Sequence, residues 1–203
     1  MNLLKSHFKS IELEVGCDEA GRGCLAGPVV AAAVIFSPGT IINELNDSKK
    51  LNEKMRLRLA VEIKNKASYY AIQFVDNLRI DEINILNASI EAMHHCLDNL
   101  PIIPQHIIVD GNKFKSYKNV PYTTIIKGDA QFQSIAAASI LAKTARDAYM
   151  KELHTQFPFY YWNENKGYPT YLHKKAILEN GLTKFHRRTF DHTIKEKQFK
   201  LFD

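Results

Sequence analysis

The sequence predicts an α/β protein with a mixed sheet and helices on both faces. Three observations lead there. Short apolar runs of strand length, over Pro28–Phe36, Ser68–Val75 and His106–Val109, are separated by segments with helical spacing. A first strand over Ile11–Val15 lies too close to the second for a crossover helix between them, so these two should pair antiparallel. The later strands alternate with helices, which favours parallel pairing.

Ile11 to Val15 alternates apolar and acidic residues, the pattern of a half-buried strand. The next stretch, Gly16-Cys17-Asp18-Glu19-Ala20-Gly21-Arg22-Gly23, is expected to leave the sheet as a loop that a ligand can approach closely. Val29, Val30, Val34 and Ile35 mark the second strand. Asp47 or Ser48 should cap a helix whose apolar positions are Leu51, Met55, Leu59 and Ile63. Ser68–Val75 is rich in Tyr, Ile, Phe and Val, hence a strand. Ile83, Leu86, Ile90, Met93 and Leu97 step by three and four, which predicts one amphipathic helix ended by Pro101 and Pro104. His106–Val109 is a buried strand stopped at Asp110-Gly111-Asn112, and Val120–Lys127 is another, broken by Gly128. Gln133–Glu152 is a helix whose many alanines predict close packing. An aromatic loop around Tyr168-Pro169, a helix over Leu172–Asn180 and basic ends complete the chain.

With 203 residues and 45% hydrophobic content, one core and a single domain over 1–203 are expected. The net charge of +5 and a pI near 9.0 favour a polyanionic partner. Positive charge gathers at the C-terminal end, where His173–Lys200 holds eight Lys/Arg against three acids. Cys17, Cys24 and Cys96 form no CxxC pair, so neither a disulfide framework nor a zinc site is expected. The N-terminus lacks the apolar core of a secretory signal, and no segment approaches the roughly 20 apolar residues that span a bilayer. The expectation is a soluble, cytoplasmic monomer with no membrane role.

The acids carry the chemical signal. Asp110 ends a strand, where ligands tend to bind in open α/β sheets, although an Asp-Gly turn is itself a sufficient structural role. Asp129 precedes the alanine-rich helix and can serve as its N-cap. Asp18 and Glu19 repel each other and have little structural reason to be adjacent. Hard divalent cations such as Mg²⁺ or Mn²⁺ need oxygen ligands, and two of them roughly 3.5–4 Å apart support phosphodiester cleavage. Gly21-Arg22-Gly23 is neither a P-loop nor a dinucleotide fingerprint, and it exposes backbone groups to a sugar or phosphate.

Eight blocks in order then carry a resemblance. They are Gly16 to Gly23, Asp47-Ser48-Lys49-Lys50-Leu51, Val109-Asp110-Gly111-Asn112, Lys127-Gly128-Asp129, Ile135 to Lys143, Arg146-Asp147, Lys166-Gly167-Tyr168, and His186-Arg187-Arg188 with Phe190. Together, over about residues 13–192, they resemble bacterial ribonuclease HII. The resemblance implies a ribonuclease H-like fold, with a five-stranded mixed sheet flanked by helices and extra C-terminal helices. It implies metal-dependent hydrolysis of RNA in RNA–DNA hybrids and incision on the 5′ side of a ribonucleotide in duplex DNA, leaving a 3′-hydroxyl and a 5′-phosphate. Asp18, Glu19, Asp110 and Asp129 would then be catalytic and hold Mg²⁺ or Mn²⁺, two ions when substrate is bound. Gly21, Arg22 and Gly23 would contact the ribose 2′-hydroxyl and its phosphate, and Tyr168 would lie against the following deoxyribose. Lys49, Lys50 and Lys143 are candidate phosphate contacts, assisted by Ser48 and Ser139; solvated lysines at helix ends are the alternative. Arg187 and Arg188 either bind duplex backbone or brace the C-terminal segment. Pro169 departs from the glycine many relatives carry there, which stiffens the Tyr168 loop.

A tail over 194–203 carries Gln198-Phe199-Lys200-Leu201-Phe202, similar to the Gln-x-x-Leu-Phe peptide that docks on the bacterial sliding clamp. Gln198, Leu201 and Phe202 would bind that partner, or Leu201 and Phe202 pack on the body. His94, His95, His154, His173 and His192 show no ligand spacing. Cys17 and Cys24 are expected as buried thiols, and Phe157, Phe159, Tyr160, Tyr161 and Trp162 as packing residues rather than a base-stacking platform. A junction resolvase of the same fold would not need a 2′-hydroxyl, and a noncatalytic binding protein would not need four acids.

Overall fold

The computed structural model describes residues 4–9, 13–45 and 51–194. Five strands, β1 (Glu14–Ala20), β2 (Val29–Ile35), β3 (Tyr69–Val75), β4 (His106–Asp110) and β5 (Tyr122–Ile125), form one sheet in the order β3-β2-β1-β4-β5. β2 runs antiparallel to β1 and β3, whereas β4 runs parallel to β1 and β5. The mixed five-stranded sheet is therefore as expected, with β1 at its centre.

Helices cover both faces, which is why β2 reads as a continuous apolar run and is fully buried. On one face Val15, Cys17, Ala31 and Ala33 pack with Ala88, Ala92, Met93 and Cys96 of α3 (Ile85–Asp98). On the other, Ala32 and Val34 pack with Ala136, Ala137 and Ile140 of α4 (Gln133–Gln156) and with Leu59 and Ile63 of α1 (Glu53–Lys66). The alanines bring sheet and helix close together. Gly16 closes the distance further: a Cβ there would stand 2.4 Å from the Ser134 carbonyl carbon and 2.5 Å from the Ile135 nitrogen.

Beyond α4, α5 (Trp162–Asn165) and α6 (Tyr171–Asn180) build a third cluster from Leu25, Met150, Tyr160, Trp162 and Ile177. Its polar centre is a buried chain. Trp162 Nε1 donates to His173 Nε2 at 2.9 Å, His186 Nε2 lies 3.2 Å from the same atom, and His173 Nδ1 lies 2.9 Å from the Tyr168 carbonyl. Tyr160 and Trp162 are buried as expected, but Phe159 and Tyr161 are exposed.

Four local expectations are corrected. Asp18 and Glu19 belong to β1 rather than to a loop after it, because β1 is the central strand and pairs on both sides through Cys17. The helix expected across Ile83–Leu97 is two, α2 (Asn77–Ile83) and α3. Asn84, at φ +66°, separates them and accepts from the Leu86 and Asn87 N–H groups, a local bond that competes with a continuous helix. The cap of α1 is Asn52, which accepts from Met55 N–H; Asp47 and Ser48 lie outside the described residues. The fifth strand is short, since Lys127 turns left-handed at φ +56°. Among the described residues no helix is long and apolar enough to cross a membrane.

Candidate active site

Parallel neighbours end at the same edge of a sheet. Cys17 of β1 stands opposite Val109 of β4, so Asp18 and Asp110 follow next on adjacent strands. Successive strand residues face opposite ways, which turns Asp18 toward α4 and Glu19 away from it. Asp18, Glu19 and Asp110 all line one cleft of about 420 Å³, together with Gly21, Arg22 and Gly23, Ser139 and Lys143 of α4, and Tyr168. A larger groove of about 650 Å³ lies on α2 and α3, where Arg79 is already paired with Glu82 and Glu91.

Asp18 is only 5% exposed. Its Oδ1 accepts the Glu19 N–H at 2.7 Å, and the Ser139 hydroxyl bonds to the same carboxyl. Burial, followed by the negative charges of Glu19 and Asp110, holds its pKa well above the ordinary carboxylate value. Asp110 Oδ1 accepts the Gly128 N–H at 2.7 Å. That bond draws the turn carrying Asp129 against the end of β4. Asp129 is buried in this 3₁₀ turn, Gly128–Ala130, but does not line the cleft. Nor is it the helix cap, since Phe132 occupies that position. Three of the four acids are thus together and the fourth is adjacent. Among the described residues no three acidic, His or Cys groups form a closed metal cluster.

Past Ala20 the chain turns at Gly21, φ +98°, where a Cβ would stand 2.0 Å from Arg146 Nε. Only glycine fits there. A Cβ at Gly23 would meet nothing within 4 Å, so packing gives no reason for glycine at that position. Arg22 reaches solvent and pairs with Glu19 Oε1 at 3.2 Å. Lys143 is held by Asp147 Oδ1 at 2.7 Å and lies 5.4 Å from the centre of the Tyr168 ring. Burial pushes the Tyr168 phenol up to about 12, and its hydroxyl bonds to Cys24. All three cysteines are free and buried.

Arg187 is 0% exposed and cannot reach a nucleic acid at the surface. Its Nε donates to Gly27 O and its Nη1 to Arg22 O, each at 3.0 Å, so it braces the glycine loop from behind. Arg146, a second fully buried arginine, supports the same loop and was not singled out from the sequence, where its only signal is the Arg146-Asp147 block. Ser48, Lys49, Lys50, Gln198, Leu201 and Phe202 lie outside the described residues.

Comparison with known proteins agrees with the geometry. The family model described as Ribonuclease HII matches residues 15–193. A ribonuclease HII of Phocaeicola vulgatus is 58% identical over 180 residues, covering 88% of this chain and 89% of that protein. The crystal structure of ribonuclease H2 from Pyrococcus horikoshii superposes with a TM-score of 0.75 at 26% identity, over 88% of this chain and 94% of that one. The RNase HII of Archaeoglobus fulgidus, solved in complex with PCNA, shares the fold with a TM-score of 0.74 at 24% identity, over 90% and 97%. On the extent of the family match and the identity to its bacterial members, the chain belongs to the ribonuclease HII family.

Proposed function

We propose that this protein is an endoribonuclease that hydrolyses RNA in RNA–DNA hybrids and incises 5′ to a ribonucleotide embedded in duplex DNA. The products are a 3′-hydroxyl and a 5′-phosphate, and the role is ribonucleotide removal during cytoplasmic DNA replication and repair. One observation carries the reading: Asp18, Glu19 and Asp110 share a cleft with an open glycine loop and an aromatic ring. Family membership supports the substrate class.

The donor set fits a hard divalent cation. The cleft's acids offer carboxylate oxygens and its lining holds no imidazole or thiol; burial, then the charges of Glu19 and Asp110, raises Asp18, an imbalance that a cation relieves. Asp18, Glu19, Asp110 and Asp129 would hold Mg²⁺ or Mn²⁺, two ions with substrate present. When bound, these supply water activation and stabilise the leaving oxygen. The chain's own groups do the rest. Ser139 fixes the Asp18 carboxyl, while Lys143 and Arg22 attract phosphate. Backbone groups of Gly21–Gly23 meet the 2′-hydroxyl, the one group that distinguishes a ribonucleotide within DNA. Tyr168 packs on the next sugar and favours one that lacks that hydroxyl. All these residues come from one chain, so a monomer suffices. The Gln198–Phe202 peptide supports docking of the tail on the sliding clamp.

The test is cleavage of a labelled DNA duplex carrying one ribonucleotide, with Mg²⁺ or Mn²⁺ or with chelator. An all-DNA duplex, an RNA–DNA hybrid and Asp110→Asn run alongside. Metal-dependent incision 5′ to the ribonucleotide, absent in the variant and on DNA, is expected. Equal cutting of all-DNA duplex would sink the 2′-hydroxyl reading in favour of a resolvase.

A further inference from the structure

Arg146 sits in α4, fully buried, and among the described residues it has no carboxylate partner. Burying an unpaired charge is costly, so a fold does not place one there merely to fill space. Its donors all end on backbone carbonyls: Nε on Pro28 at 2.9 Å, Nη2 on Ala26 at 3.0 Å and Nη1 on Lys166 at 2.8 Å. Those carbonyls belong to two separate segments. Ala26 and Pro28 follow the Gly21–Gly23 loop; Lys166 precedes Tyr168 by two residues. The guanidinium also fills the space beneath Gly21 and lies 5.8 Å from the Tyr168 ring centre. The two segments are further joined where Leu25 N–H donates to Gly167 O at 2.7 Å.

We propose that Arg146 is a positioning residue that sets the spacing between the Gly21–Gly23 loop and Tyr168, and thereby the preference for a ribonucleotide followed by a deoxyribonucleotide. The inference rests on the functional reading above, in which the loop meets one sugar and the ring the next. A planar fork of fixed direction suits this task better than a lysine, whose point charge on a flexible stem cannot hold three carbonyls in register. With the fork lost, loop and ring relax independently, and the cleft still binds a ribose but no longer reads the pair of sugars.

Arg146→Lys keeps the charge and removes the fork. The measurement is kcat/KM on duplex DNA with one ribonucleotide and on a continuous RNA–DNA hybrid, together with hydrogen exchange at the Leu25 amide. The ratio of the two kcat/KM values is expected to fall at least about tenfold toward the hybrid, since misplacement near 1 Å costs on the order of a hundredfold. Leu25 should exchange faster. In a Tyr168→Ala background Arg146→Lys should leave the ratio unchanged, because the ring it positions is gone. A role in stability alone lowers both substrates by the same factor, and that result overturns the proposal, as does wild-type exchange at Leu25. Should Arg146→Lys not fold, Arg146→Gln keeps a planar donor group but cannot reach all three carbonyls, and must shift the ratio the same way. A wild-type protein that cuts neither substrate overturns the functional reading, and the loop–ring joint is then judged on Leu25 exchange alone.

Discussion

Replacing Gly16 with alanine tests the close seating of β1 against the α4 backbone. The added methyl would stand 2.4 Å from the carbonyl carbon of Ser134 and 2.5 Å from the nitrogen of Ile135. Carbon atoms settle at about 3.5–4.0 Å, so β1 and α4 must part by more than about 1 Å. Neither side yields easily, because the atoms opposite are helix backbone and the flanking contacts are alanines buried to 0%. Overpacking of a core costs about 1–3 kcal/mol, and the upper end is expected here because backbone, not a flexible side chain, is displaced. The sign is informative, since Gly→Ala at an unhindered site stabilises by about 0.4–1 kcal/mol through the unfolded chain. Urea unfolding gives the stability, and cleavage of the one-ribonucleotide duplex gives the activity. Because α4 also carries Ser139, Lys143 and Arg146, hydrolysis should fall by roughly one to two orders of magnitude. A loss below about 0.5 kcal/mol with full activity would refute the argument that α4 is seated on Gly16.

Asp18→Asn should act in opposite directions on stability and activity. The folded pKa of Asp18 is raised, so its ionisation destabilises the metal-free fold above the unfolded value, and asparagine should add about 0.5–2 kcal/mol at pH 7 while cleavage drops at least about a hundredfold; unchanged melting without metal would count against it. Mg²⁺ or Mn²⁺ should raise the melting temperature of wild type but not of this variant, as thermal unfolding with and without chelator will show. His173 and His186 are depressed by burial from 6.5 to about 4 and about 3, so the fold holds both neutral. Their contribution is complete above pH 6.5 and is lost as pH falls toward 4, at up to about 1.4 kcal/mol per pH unit for each, and a flat urea-stability profile between pH 7 and pH 5 would contradict this. Leu201→Ala with Phe202→Ala should abolish binding to a bacterial sliding clamp in titration while leaving cleavage of the one-ribonucleotide duplex intact.

Much of the fold was legible because its long elements are strongly periodic. The Val29–Ile35 strand, the alanine-rich helix and the helix ending at Asn180 lie close to where the apolar pattern put them. Elsewhere the pattern misled. The apolar stripe from Ile83 to Leu97 runs through Asn84 without a break, yet that residue's positive φ and its two side-chain bonds to backbone N–H groups divide it. The central strand was half hidden, since Gly16-Cys17-Asp18-Glu19 has none of the branched and aromatic residues that announce a strand. In the site, the three acids at the sheet edge were legible as a group. Ser139, a candidate aid to phosphate binding in the sequence, lines the cleft and bonds the Asp18 carboxyl, a partner that no spacing announces. For Arg187 the sequence leaves duplex binding and bracing both open, and it braces the glycine loop, because nothing in a sequence marks an arginine whose partners are backbone carbonyls. Arg146 was missed for the same reason.

The alanine seam between sheet and helix bears on how this protein can change over time. Ala32 on β2 and Ala136, Ala137 and Ala138 on α4 are all buried to 0%, and Gly16 leaves no room beside them. Along such a seam a single enlargement has nowhere to go, and a single reduction to glycine loosens the support of the cleft. Variation there must come in matched pairs, a gain on one side offset by a loss on the other. Laboratory evolution should accordingly accept solitary changes first on the outward surface of α1, where Leu57 and Val61 already face water. A coupled double substitution across the seam would be a rare event with an outsized effect on where Ser139, Lys143 and Arg146 stand.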